Sequence, residues 1–109
     1  MRPQPWSPAD ATDAIRALAA RDELQLTWTL HIKERLVERD LIIGDVRFLL
    51  RHGFVYAEPE PSSRNGLYKY AVEGTSPNSG NRSLRLIVIP DETRCWIKLI
   101  TLMWVDEGR

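Results

Sequence analysis

The sequence has 109 residues, of which 43% are apolar and 28% are charged, with fifteen basic and fifteen acidic side chains. This length is typical of one domain that buries a single core and leaves room for a surface cleft rather than a deep enclosed pocket. The net charge of zero argues against a generic nucleic-acid coat protein, although it allows a local basic patch.

Three helices are predicted in the first half of the chain, over residues 8–21, 29–39 and 44–52. Ser7 is a candidate N-cap for the first helix, and Pro8 stands at its first position. Thr29 is the candidate cap of the second helix, and Gly53 ends the third. Residues 1–25 are interpreted as an N-terminal extension that contains the first helix.

After Gly53 the apolar pattern changes from helical to alternating, which predicts four strands over residues 54–58, 67–73, 83–90 and 95–105. Short connections between successive strands predict an antiparallel meander. Helices packed on one face of a four-stranded antiparallel sheet form a two-layer α+β domain. Both faces of the last strand are apolar, so we expect it to be central or covered on both sides, and an exposed half of it would offer a surface for a homodimer.

The stretch HIKERLVERDLIIGDV, which begins at His31, resembles the signature of a small bacterial family of uncharacterised single domains. That signature reads His-Ala-x-x-Arg-Met-x-x-Arg-Gly-Ile-Ser-x-x-Asp-Val. The matching positions here are His31, Arg35, Arg39, Leu41, Asp45, Val46 and Gly53, followed by residues 68–70, 82–88 and 100–102 in the same order. The resemblance covers residues 26–105.

The family is grouped with RelE-like and BrnT-like toxins, in the fold class of the barnase, EndoU, colicin and RelE ribonucleases. The resemblance therefore implies a RelE-like toxin-type α+β domain over residues 26–109. It also implies metal-independent RNA cleavage without a cofactor, and a toxin–antitoxin context in which a cognate antitoxin protein is a partner. Fold alone does not fix function, so the site residues have to carry that hypothesis.

Metal-independent RNA cleavage needs a base for the 2′-hydroxyl proton, a cation that faces the scissile phosphate and an acid for the leaving oxygen. The candidate catalytic residues are His31 as base or acid, Arg35 as phosphate clamp, Lys69 in a cationic pocket and Thr101 as a hydroxyl that orients the phosphate. The candidate substrate-binding residues are Arg39, Tyr68, Arg82 and Arg85, with Tyr68 or Tyr70 stacking a base. We expect His31, Arg35, Lys69 and Thr101 to converge in one shallow groove.

Each candidate also has a purely structural interpretation. A histidine beside the apolar stripe of a helix can be held by a backbone carbonyl, and Arg35 can form a weak surface ion pair with Glu34 or Glu38. Lys69 can simply lie on the solvent side of its strand. Three hypotheses thus stay open: a toxin-type ribonuclease, a non-catalytic protein- or nucleic-acid-binding module of the same fold, and a degenerate toxin. The ordered motif matches favour the first, and the neutral charge favours the other two.

The single cysteine, Cys95, cannot form a disulfide within the chain, which predicts a reducing compartment. Two histidines and one cysteine without close pairing offer no metal-ligand set. No apolar run approaches the length of a membrane span, and the N-terminus lacks the pattern of a signal peptide. We therefore expect a soluble, cytoplasmic protein that has no membrane partner and needs no metal.

Overall fold

Three helices and six strands make up the fold in the computed structural model, which describes residues 2–107. The helices are α1 (Pro8–Ala19), α2 (Leu30–Glu38) and α3 (Ile43–His52). The strands are β1 (Gln25–Thr27), β2 (Phe54–Val55), β3 (Glu60–Pro61), β4 (Tyr68–Gly74), β5 (Leu84–Asp91) and β6 (Trp96–Trp104). The predicted α+β class with three helices is confirmed.

The first two helices begin where their capping residues predict. Ser7 Oγ accepts a hydrogen bond from the backbone N–H of Asp10 at 3.2 Å. Thr29 Oγ1 accepts one from the N–H of Ile32 at 3.2 Å. Each cap satisfies a backbone donor that the helix itself cannot pair, and this local chemistry fixes the first turn.

The sheet has the strand order β1-β6-β5-β4-β2. β3 pairs with the first two residues of β4, Tyr68 and Lys69. The four predicted strands correspond to β2, β4, β5 and β6, and they pair antiparallel in sequence order. The prediction of a purely antiparallel four-stranded sheet is nevertheless wrong, because β1 adds a parallel edge beside β6. With three residues, β1 is too short to show an alternating pattern in the sequence. β3 has two residues, one of them Pro61, and proline is confined to the edges of sheets.

One hydrophobic core lies between the sheet and the helices. Apolar residues that are 2% exposed or less come from both layers, among them Leu18, Leu49, Tyr70, Leu86 and Leu99. The N-terminal residues share this core, because the Trp6 ring stacks on Tyr70 with their ring centroids 5.3 Å apart. The Tyr70 hydroxyl also accepts a hydrogen bond from the Trp6 N–H at 3.0 Å. Residues 2–19 therefore pack as part of the domain rather than beside it.

Helix α2 lies against β6. Its buried side chains, Ile32 and Leu36, join the common core. His31, Arg35 and Arg39 follow one another at single-turn intervals on a neighbouring side of this helix. Across residues 2–107, no helix has the length and apolar composition needed to cross a membrane.

Candidate functional site

The candidate site lies on the face of the sheet that points away from the core, called here the outer face. The register places Ala71, Ile87 and Thr101 side by side across β4, β5 and β6. Because side chains alternate between the two faces of a strand, Lys69 and Arg85 share the outer face with them. The core residues of the same strands, among them Tyr70, Leu86 and Leu102, point to the opposite face.

A β-bulge determines which way Thr101 points. Val88 pairs with Leu99 and Ile87 pairs with Thr101, so Ile100 has no partner residue on β5. Strict alternation from the buried Leu99 would give Thr101 the core face. The extra residue reverses the alternation, and Thr101 lies on the outer face with Lys98.

His31, Arg35 and Thr101 form a hydrogen-bonded group, called here the His31 cluster. His31 Nε2 lies 3.1 Å from Thr101 Oγ1 and 3.3 Å from Arg35 Nε. An arginine Nε can only donate, so its bond to His31 requires an Nε2 without a proton, which assigns the neutral Nδ1–H tautomer. The imidazole is exposed and Thr101 is half-buried. The cluster therefore combines an exposed imidazole with a half-buried guanidinium, which also lies 3.6 Å from Glu38 Oε2.

Arg39 does not join this cluster. Its guanidinium lies 2.5 Å from Glu107 Oε1 and 3.3 Å from Glu38 Oε2, and its side chain is only 8% exposed. A hydrogen bond from the Trp104 N–H, followed by the bond from Arg39, lowers the pKa of Glu107. The geometry therefore makes Arg39 a link between the end of α2 and the turn after β6, and not a free substrate ligand.

Lys69 and Arg85 share the outer face with Thr101 but line a separate cleft of about 270 Å³. Glu58, Glu60 and Glu73 also line this cleft, and Arg85 Nε lies 3.0 Å from Glu73 Oε2. In the described part of the chain, neither hydrogen bond nor ion pair joins Lys69 to His31. Of the four residues expected to converge, the structure brings together His31, Arg35 and Thr101.

The remaining candidates lie elsewhere. Tyr68 packs against the core side of β4, on the face opposite Lys69. Tyr70 is fully buried, and this burial raises the pKa of its hydroxyl, so its ring is closed to a stacking base. Arg82 lies over the Trp104 ring, 4.1 Å from its centroid, and pairs with Asp106 at 2.8 Å.

A third feature of the outer face escaped the sequence predictions. A cleft of about 350 Å³, called here the Trp96 cleft, is lined by Gln25, Thr27, Arg64, Arg94, Trp96 and Lys98. Tryptophans in an apolar strand are usually core residues, but Trp96 is half-buried on the outer face. The alternation Trp96-x-Lys98 is the one local signal that could have indicated it, since both side chains share a face of β6.

The titratable residues between positions 2 and 107 include no group of three His, Cys, Asp or Glu side chains placed to hold a metal ion. The lone Cys95 is buried. Comparisons of the chain with protein-family models, with curated proteins and with solved structures found no match. The resemblance to RelE-like and BrnT-like toxins therefore stays a prediction, carried by the residues of the α2 motif and of the strands that follow it.

Proposed function

We propose that the protein is a metal-independent endoribonuclease of the RelE-like toxin type, with the His31 cluster as its reacting centre. The observation that carries this proposal is the exposed His31, whose Nε2 accepts a hydrogen bond from a guanidinium nitrogen 3.3 Å away. A base beside a cation is the pair of groups that transfer of the RNA phosphate to its own 2′-oxygen requires.

In the proposed reaction, His31 Nε2 removes the proton from a ribose 2′-hydroxyl. The 2′-oxygen then attacks the adjacent phosphorus, and the bond from phosphorus to the 5′-oxygen breaks. The leaving oxygen takes a proton from solvent, and the other product ends in a 2′,3′-cyclic phosphate. Arg35 faces the phosphate and stabilises its added negative charge, because a guanidinium binds two phosphate oxygens at once. The Thr101 hydroxyl occupies the position on Nε2 that the 2′-hydroxyl would take.

The alternative function is a non-catalytic binding module, and one observation favours it. Leu30 and Val37 lie on the same side of α2, two turns apart, and are 71% and 78% exposed. Exposed apolar side chains at this spacing are a common way for a helix to contact a partner protein. A cognate antitoxin would be such a partner for a toxin of this type, so the surface is compatible with both functions.

The test uses purified protein, end-labelled RNA with and without ribosomes, and EDTA in the buffer. We expect cleavage that leaves a cyclic phosphate and that stops when the 2′-hydroxyl at the cut site is replaced by hydrogen. His31→Ala and Arg35→Ala should each lower the rate, the first by roughly 100- to 10,000-fold, as for loss of a general base. The melting temperature should barely change, because exposed substitutions shift stability by about 0.5 kcal/mol or less.

The matched control is His52→Ala, since His52 is the other histidine of the chain and lies exposed at the end of α3. This variant should cleave RNA at the wild-type rate. A wild-type protein that cuts neither free nor ribosome-bound RNA would remove the ribonuclease proposal and leave the binding module.

A further inference from the structure

The lining of the Trp96 cleft is positively charged. The cleft is lined by three basic residues and by no carboxylate, whereas the cleft beside Lys69 is lined by three glutamates. Among the residues that the structure describes, Arg64 and Lys98 have no ion-pair partner. Arg94 has only a long contact with Asp91, at 3.8 Å, and its side chain is 70% exposed. Unneutralised cations around one cleft concentrate anionic ligands.

The indole of Trp96 adds a flat surface to this charge. Its Nε1–H donates to Thr27 Oγ1 at 2.5 Å, which ties β1 to β6 and fixes the orientation of the ring. The Arg64 guanidinium lies 5.1 Å from the ring centroid. Aromatic rings and guanidinium planes are the surfaces on which unpaired bases stack in proteins that bind single-stranded nucleic acids. A bare phosphate or an acidic peptide would leave the indole unused.

The cleft and the Thr101 end of the His31 cluster lie on the same face of β6. Trp96, Lys98 and Thr101 follow one another along the outer face of β6, and five residues of strand span roughly 16 Å at about 3.3 Å each. A strand of RNA that runs along β6 would pass Lys98 between the indole and the hydrogen bond of His31 with Thr101. Because of the bulge at Ile100, the two ends of this path, Trp96 and Thr101, lie on the same face of β6.

From the basic lining of the cleft, the flat face of the Trp96 indole and the position of both sites on one face of β6, we infer that the Trp96 cleft is a subsite for single-stranded RNA. In it a base stacks on Trp96 while Arg64, Arg94 and Lys98 contact the backbone phosphates. The inference rests on the proposed function, because it makes the cleft the place that holds the RNA while the His31 cluster acts on a neighbouring nucleotide.

The test measures binding of a fluorescein-labelled 2′-O-methyl RNA dodecamer by fluorescence anisotropy. This probe keeps the bases and phosphates of RNA but has no 2′-hydroxyl to react, so binding is measured apart from cleavage. We expect Trp96→Ala to weaken binding roughly 5- to 150-fold, the usual range for loss of one stacked base. Trp96→Phe should retain most of the affinity, because phenylalanine also offers an aromatic face.

The phosphate contacts have their own measurement, the dependence of the affinity on salt concentration. Each phosphate contact to a single strand contributes roughly 0.7 to the slope of log K against log salt. Arg64→Ala should therefore reduce the slope by roughly 0.7, and Arg64→Ala with Lys98→Ala by roughly twice as much. The control is Arg47→Ala, which removes another exposed arginine, on α3 in the helical layer on the other side of the sheet. It should change neither the affinity nor the slope.

The outcomes separate the subsite from the chemistry. Binding that depends on Trp96 and Arg64, in a protein that never cleaves RNA, would support the subsite and refute the ribonuclease. RNA cleavage that depends on His31, with dodecamer binding unchanged in the Arg64 and Trp96 variants, would overturn the subsite alone. Polyglutamate that displaces the dodecamer as well as unlabelled RNA does would also overturn it, by showing a general anion site. If Trp96→Ala does not fold, the salt dependence of the Arg64 variants and the affinity of Trp96→Phe still test whether the cleft binds RNA.

Discussion

Two hydrogen-bonded groups, centred on Asp45 and on His31, each tie a helix to a distant part of the chain. They differ in whether any donor or acceptor atom is left without a partner. The Asp45 carboxylate is 1% exposed and accepts bonds from the N–H of Ile42 and from the backbone and side chain of Asn78, at 2.8 to 3.1 Å. His31 is exposed, its Nε2 carries both bonds of the His31 cluster, and no residue between 2 and 107 pairs with its Nδ1. A fully paired buried group holds the fold, whereas an exposed group with free capacity can bind a ligand.

The hydrogen bonds of Asp45 also determine its charge. Burial alone would raise the pKa of this carboxyl, but the hydrogen bonds from Ile42 and Asn78 outweigh the burial and lower it. Asp45 is therefore ionised at neutral pH, at the start of α3, where the helix dipole favours negative charge. It secures both the first turn of α3 and the loop between β4 and β5.

The largest effect that tests this comparison is expected for Asp45→Ala. The substitution leaves three partly buried donors without an acceptor, and because a buried donor that loses its partner costs about 1–3 kcal/mol, we expect a loss of about 3 kcal/mol in the free energy of unfolding. Urea denaturation measures it. Asp22→Ala, which removes the same atoms from an exposed turn, should change stability by about 0.5 kcal/mol or less. Equal losses in the two variants would show that Asp45 is not a structural anchor.

A smaller effect is expected from pH. Because the pKa of Asp45 is lower in the folded than in the unfolded protein, its contribution is complete above the unfolded pKa of about 3.9 and is lost as pH falls through the folded value. The wild type should therefore lose stability below about pH 4, and Asp45→Asn should lose less over the same range. The urea midpoint between pH 2 and pH 7 reports this. Glu107→Gln is the control: Glu107 is more exposed and its pKa is also lowered, so this variant should keep most of the slope. Identical pH profiles for wild type and Asp45→Asn would contradict the assignment.

The smallest effect on stability is expected in a comparison of Arg35, in α2, with Arg39, which caps the end of α2. Arg39→Met removes a mostly buried guanidinium and its bonds to Glu107, and we expect a loss of about 1 kcal/mol, the upper end for pairs that are partly open to solvent. Arg35→Met removes a guanidinium whose side chain is 35% exposed, and the loss should be about 0.5 kcal/mol or less. Thermal denaturation of the two variants compares them directly. A larger loss for Arg35 would mean that the His31 cluster is part of the scaffold.

The helices and their starts could be predicted from the sequence because helix capping is local. Ser7 and Thr29 lie within three residues of the N–H groups that they bind. The spacing of four residues likewise brings Arg35 beside His31, one turn of the helix away. Such contacts need no knowledge of the tertiary fold.

What escaped prediction is non-local. The bond between Arg39 and Glu107 joins residues 68 apart, so the sequence alone suggested an arginine available for substrate. The Trp96 cleft depends on β1, whose three residues carry no readable period, and on Arg64, 32 positions before the tryptophan that it covers. Thr101 entered the predicted site only through the family resemblance, since strict alternation would have given it the core face.

The bulge at Ile100 has a genetic consequence. Substitutions along β6 change one side chain at a time, whereas in-frame loss of the single codon for Ile100 would remove the extra residue and restore regular pairing. Thr101 would then follow Leu99 directly, opposite Ile87 on the outer face, and Leu102 would stay in the core opposite Leu86. We expect such a deletion variant to keep the contact between His31 and Thr101, which a spectrum of the histidine ring protons would reveal. The orientation of Thr101 therefore tolerates the loss of one residue at the bulge, because its partner on β5 sets the face on which it lies.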